Sequence, residues 1–177
     1  MPILGKTSAK LPLTFKLFSI FASKIRKPMK HIRNRLTLPN DTNTIPQLAE
    51  FVEGIAEELE LDMEVTMGLN LALEEAVVNV MNYAYPKDTQ GEILIDAMSD
   101  DNSLKFVITD EGVAFDPTAK GDVDINLSAE DRPIGGLGIH LVRQLMDSIE
   151  YERKDGRNVL TLSKTIPNSR AASSYSD

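Results

Sequence analysis

The feature that most narrows this sequence is the run from Met63 to Tyr85, long enough for about six turns of helix and closed by Pro86, which cannot continue one. At about 100° per residue, Leu69, Leu73, Ala76, Val77, Val80 and Ala84 fall into one aliphatic stripe, the face that a helix turns to a core. Glu75, Asn79 and Asn82 lie at i, i+4 and i+7 on roughly the opposite side. Leu71 and Val78 flank that polar line, so it does not read as an ordinary wet face. Two amides and a carboxylate among apolar neighbours either line a pocket or cap nearby backbone, and the helix alone leaves both readings open. Glu74 points elsewhere and reads as a surface acid.

The pattern on either side of this helix sets the fold class. Residues 30–38 alternate as a first strand, Pro39 to Asn43 form a turn, and Thr44 is placed to cap a helix with Pro46 in its first turn. Leu48, Phe51, Val52, Ile55 and Leu59 carry that helix to about Leu61. GEILIDAM and SLKFVITD, separated by Asp100 and Asp101, read as a β-hairpin. An irregular stretch from Glu111 to Gly136 precedes a third helix from Leu137 to about Asp147. SIEYERK and RNVLTLSK then form a second hairpin around Asp155-Gly156, a strong tight-turn signal. Strands paired as hairpins with helices in separate runs predict an α+β fold: a two-layer sandwich of a mixed, mostly antiparallel sheet with helices on one face. The strict βαβ alternation of a dinucleotide-binding fold is absent.

Composition excludes several chemistries. The 177 residues suit one domain. There is no Cys, which removes disulfides, thiolate catalysis and zinc–thiolate sites, and His31 and His140 are too few for a histidine-rich metal centre. Leu11 to Ala22 is interrupted by Lys16 and too short to span a bilayer. Residues 1–39 carry nine Lys/Arg and no acid, leaving ten basic against 27 acidic residues in the remainder, a balance of −17. So acidic a body repels nucleic-acid phosphates, and a nucleotide requires local neutralisation by a metal ion and backbone amides. The expected organisation is a basic, disordered extension over 1–29, a domain over 30–165 and a polar tail over 166–177, in the cytoplasm, with neither nucleic acid nor membrane as partner.

Two further signals bear on chemistry. In SLKFVITD, Asp110 falls in phase with Leu104, Phe106 and Ile108, so its carboxylate enters the buried face and needs a donor. Gly112 follows and permits a close backbone approach. Gly135-Gly136-Leu137-Gly138 opens an apolar helix, where exposed N–H groups can meet phosphate oxygens.

EEAVVN, then DEGVAFDP, then GGLGIHLVRQLMD, in this order and spacing, resemble the N-box, G1 box and G2 box of the GHKL ATP-binding superfamily. That superfamily includes gyrase, MutL, the histidine-kinase ATP domain and the anti-sigma-factor serine kinases. NVMNYAYP, FDP and the final GRNVLTLSK are most similar to the last group, the RsbW type, over roughly residues 30–165. Ala114 stands where the second G1 glycine is usual, and Tyr83 where many relatives carry His.

The resemblance implies a two-layer sandwich of the Bergerat type and an ATP-dependent serine/threonine kinase. Its substrate would be a STAS-domain anti-anti-sigma protein, and it would sequester a sigma factor or similar target. ATP and Mg2+ are the implied cofactors, and a homodimer is compatible. By the same resemblance Asn79 gives its oxygen to Mg2+ and Glu75 is the general base, with Asn82 on the same polar line. Asp110 accepts from the adenine amine and Gly112 and Ala114 line the base. Residues 117–134 form an ATP lid, Gly135, Gly136, Leu137 and Gly138 clasp phosphates, and Thr161 joins the adenine network. The alternative is a regulator that binds nucleotide and protein but transfers little or no phosphate. The catalytic half of a histidine kinase is disfavoured, since no helix pair with a phosphoacceptor His precedes the domain.

Overall fold

The computed structural model describes residues 30–100, 102–119 and 137–166. These residues form strands and α-helices in the order β1 (Arg33–Pro39), α1 (Ile45–Glu58), α2 (Met63–Tyr83), β2 (Glu92–Ser99), β3 (Ser103–Asp110), α3 (Leu137–Leu145), β4 (Ser148–Lys154) and β5 (Arg157–Thr165). The sheet order is β1-β2-β3-β5-β4, and all four pairings are antiparallel, so the mixed sheet expected from the sequence contains no parallel pair among the described residues. Two hairpins meet where β3 pairs with β5, with Asp110 opposite Asn158.

Strand alternation builds the core. Ile93, Ile95, Ala97, Leu104, Phe106, Ile108, Leu160 and Leu162 are buried on one face of the sheet. They pack in one cluster with Leu48, Val52 and Ile55 of α1 and with Leu69, Leu73, Ala76, Val77 and Val80 of α2. All but one residue of the aliphatic stripe read from the sequence thus fall on the buried face of α2, and the last, Ala84, is buried just past its end. The other face of the sheet carries Arg35, Asp96, Val107 and Thr161 in one cross-strand row. No helix among the described residues is long and apolar enough to cross a membrane.

Local chemistry sets the element ends. Thr44 makes no side-chain cap on α1, contrary to expectation: its hydroxyl donates to the Asp41 carbonyl at 2.6 Å. Asp41 instead caps a short 3-10 turn over Thr42–Thr44 by accepting from Asn43 N, and this turn leads directly into Ile45 and Pro46. Asp62 caps α2 by accepting from Val65 N at 2.8 Å. The second hairpin turns at Asp155 (φ 50°) and Gly156 (φ 79°), the paired positive angles that match strand twist.

Helix α3 packs against α2 at two glycines. A Cβ at Gly68 would touch Leu145 at 3.5 Å, and one at Gly138 would overlap the Glu75 side chain. That crossing sets the start of α3 over the middle of α2.

Candidate functional site

One part of the site is the end of β3. Asp110 is 3% exposed, and its Oδ1 accepts from Gly112 N at 2.9 Å and from Asn158 Nδ2 at 2.8 Å. Asn158 is equally buried and fully used. Its Nδ2 also donates to Val113 O at 2.9 Å, while its Oδ1 accepts from Tyr151 OH and Arg153 Nη1, both at 2.8 Å, and from Phe115 N at 3.3 Å. Arg153 Nη1 additionally reaches Gly112 O at 2.9 Å. Burial pushes the Asp110 carboxyl above the usual carboxylate range, against the pull of the Asn158 and Gly112 donors and the Arg153 charge. Among the described residues no donor reaches Asp110 Oδ2, which leaves one acceptor oxygen at the end of a saturated network.

The backbone beyond β3 is fixed to the end of α2. Val113 N donates to Ala84 O at 2.7 Å, and a Cβ at Gly112 would collide with that same carbonyl. Glycine at 112 is therefore required by the helix end behind it, whatever lies in front. The rings of Tyr83 and Phe115 stack with centroids 5.4 Å apart, a second tie between the same segments. Ala114 is exposed beside this stack.

The other part lies on α2. Asn79 Nδ2 donates to Glu75 Oε1 and to the Glu75 carbonyl, both at 2.8 Å. Both residues are half-buried. With two acceptors facing its nitrogen, the Asn79 amide has one orientation, and its Oδ1 turns away with no donor among the described residues. Glu75 Oε2 likewise takes none. Of the two readings of this helix face, the backbone contact is present: Asn79 bonds the Glu75 carbonyl, and each partner keeps one oxygen without a donor among the described residues. Asn82 is exposed and bonds neither Glu75 nor Asn79.

Of the glycine run, 135 and 136 lie outside the described residues, as do residues 120–134 of the expected lid. Leu137 begins α3, and Gly138 sits against Glu75. Thr118 is held by Asp116, and its carbonyl accepts from Arg143 Nη2 at 3.0 Å. Thr161 is not brought to Asp110. It pairs with Val107 and Glu150 on the opposite face of the sheet, because strand side chains alternate and 158, not 161, shares the phase of Asp110. Asn158 is the residue that the sequence reading passed over. Its signal was available: a polar side chain in phase with Leu160 and Leu162, the same anomaly that marks Asp110. An open depression of about 840 Å³ beside Tyr85, Thr109 and Arg157 touches Asp110 and Gly112 but neither Glu75 nor Asn79.

A buried aspartate at a strand end and a carboxamide–carboxylate pair on α2, set on an antiparallel sheet covered by helices, define the class: an α+β sandwich of the GHKL ATPase type. Residues 38–164 match the family described as the histidine kinase-like ATPase domain, and the chain belongs to it. It is 32% identical over 127 residues to the serine-protein kinase RsbW of Bacillus cereus (strain AH820), covering 66% of this chain and 79% of that protein. The same figures hold for the serine-protein kinase RsbW of Bacillus anthracis. Among solved structures, the RsbU and RsbW domains of Rv1364c from Mycobacterium tuberculosis share the fold, with a TM-score of 0.55 and 16% identity over 77% of this chain. This chain spans 33% of that one.

Proposed function

We propose that this protein is an ATP-dependent serine/threonine kinase whose functional unit spans residues 30–165. Its substrate is a hydroxyl on a STAS-domain anti-anti-sigma protein, and its regulated target is a sigma factor or equivalent. The observation that carries the reading is the Glu75–Asn79 pair on α2, one helical turn apart, whose bond leaves one carboxamide oxygen and one carboxylate oxygen without a donor among the described residues.

Asn79 Oδ1 suits Mg2+, which prefers hard oxygen ligands and takes few from protein when it also holds phosphates. Bound there with the nucleotide, magnesium supplies positive charge against the phosphates. Gly135 and Gly136, with Leu137 and Gly138 in the first turn of α3, are the residues proposed to offer backbone N–H groups to the phosphates. Asp110 Oδ2 accepts from the adenine amine, with Gly112 and Ala114 beside the base.

A serine or threonine hydroxyl is a poor nucleophile until its proton is taken. Glu75 Oε2 accepts that proton as the new O–P bond forms and the bond from the terminal phosphorus to the ADP oxygen breaks. The products are the phosphorylated partner, ADP and a protonated Glu75, which returns its proton to solvent. The reading is tested by incubating the purified chain with a STAS-domain protein from the same organism and ATP labelled in its terminal phosphate. Label appearing on serine or threonine supports it. Nucleotide binding without transfer identifies the protein as a binding regulator instead.

A further inference from the structure

We infer that Gly138 is a positioning residue for Glu75: the space that a side chain at 138 would fill is the space that the Glu75 carboxylate occupies. The inference rests on the reading of Glu75 as the base. A Cβ placed on Gly138 overlaps Oε1, Cδ and Cγ of Glu75 together, so the first turn of α3 runs directly across the length of that side chain. Oε1 is also the atom that accepts from Asn79 Nδ2. The carboxylate is thus held between an amide on its own helix and a bare Cα on the next. Gly68, at the other end of the same crossing, is different: a Cβ there would meet Leu145 at 3.5 Å, ordinary contact, so the helices do not need glycine simply to approach.

This role is separate from donating a backbone N–H to phosphate. An alanine at 138 keeps its N–H and adds only the methyl group. The methyl displaces the flexible end of Glu75 rather than any backbone, so the fold persists while Oε1 leaves Asn79. Moving a base by about 1 Å is enough to slow a reaction by up to about 10²-fold.

The test uses the full chain and four variants: Gly138→Ala, Glu75→Ala, Asn79→Asp and the double variant Gly138→Ala/Glu75→Ala. The first reading is the side-chain amide NMR signal of Asn79, identified by its loss in Asn79→Asp and recorded without nucleotide or partner. Gly138→Ala shifts this signal in the direction that Glu75→Ala does. The second is thermal stability. Gly138→Ala lowers it in the native background but raises it in Glu75→Ala, where alanine replaces glycine in a helix without a collision. The third is transfer at saturating ATP, which falls by about 10-fold or more in Gly138→Ala while nucleotide affinity stays within about twofold. An unshifted Asn79 signal overturns the inference. So does a loss of nucleotide affinity of equal size with and without Glu75, which assigns Gly138 to the phosphates alone. The first two readings need no transfer, so a native chain that moves no phosphate contradicts the kinase reading and leaves the Gly138 seat standing.

Discussion

The two ends of the site are built on opposite plans. At the end of β3, Asp110 and Asn158 sit within a closed set of bonds that ties together β3, β4, β5 and the segment after β3. On α2, Glu75 and Asn79 hold each other by one side-chain bond, supported by the bare Cα of Gly138. The first arrangement leaves a single acceptor in a rigid frame, which suits recognition of a flat base. The second leaves two oxygens with no donor among the described residues, which suits a metal and a moving proton. Recognition tolerates saturation because no group there has to take up a proton during transfer. Proton transfer does not, because a base whose lone pairs are all occupied has none to use.

The largest expected effect breaks the chemical end. Glu75→Gln keeps the shape and removes the proposed base, so transfer to the protein substrate is expected to fall by about 10²-fold or more. Nucleotide affinity, read by calorimetry, changes little. Wild-type transfer by the Gln variant contradicts the assignment.

Next comes the frame itself. Asn158→Ala takes the partner from the Val113 carbonyl, the Tyr151 hydroxyl and the Phe115 N–H, and leaves Asp110 Oδ1 and Arg153 Nη1 with their Gly112 contacts alone. Each buried group left unpaired costs about 1–3 kcal/mol. With some replaced by water, the expected loss in urea denaturation is about 3 kcal/mol. A loss below about 0.5 kcal/mol would show that the network is not the frame of this end.

Asp110→Asn sharpens the contrast. The new amide oxygen still accepts from Asn158 and Gly112, so stability holds within about 1 kcal/mol. Nucleotide affinity is expected to fall by about 10-fold or more, since the carboxylate proposed to accept from the adenine amine is gone. Because burial raises the native pKa of Asp110, the native state holds that proton more tightly than the unfolded chain. Its contribution to stability is complete below the unfolded carboxylate range and is lost as pH rises through the native value. Denaturation of the native chain and Asp110→Asn from acid to neutral pH therefore shows a decline with rising pH that the variant lacks. A native profile parallel to that of the variant would contradict the raised pKa.

Much of the frame was legible in the sequence, for a definite reason. Period-2 alternation marks both hairpins and puts Asp110 in the buried phase, and Asp155-Gly156 marks a turn whose geometry demands positive angles. The partner of Asp110 was harder to see, because it depends on β5 pairing with β3 across a gap of 48 residues, and no local pattern states that register. Thr161 attracted attention as a threonine in the last strand, but its phase places it on the opposite face. Thr44 lost its capping role to Asp41, whose tighter turn takes the chain into α1 first. The reason for Gly138 is a contact between two helices, visible only once α3 is laid on α2.

The smallest effects fall on residues that the structure leaves out of both ends. Asn82→Ala and Thr161→Ala should each change stability by less than about 0.5 kcal/mol and leave nucleotide affinity and transfer as they are. A large loss in either would extend the site beyond the two groups described here.

The separation of the two ends is tested most directly by single-turnover transfer from labelled ATP, measured against nucleotide concentration in Asp110→Asn and Glu75→Gln side by side. The account predicts that the Asp110 variant needs more nucleotide but reaches the native rate once saturated, while the Glu75 variant binds as the native chain does and stays slow at every concentration. A deficit in Asp110→Asn that persists at saturation, or one in Glu75→Gln that nucleotide restores, would contradict it.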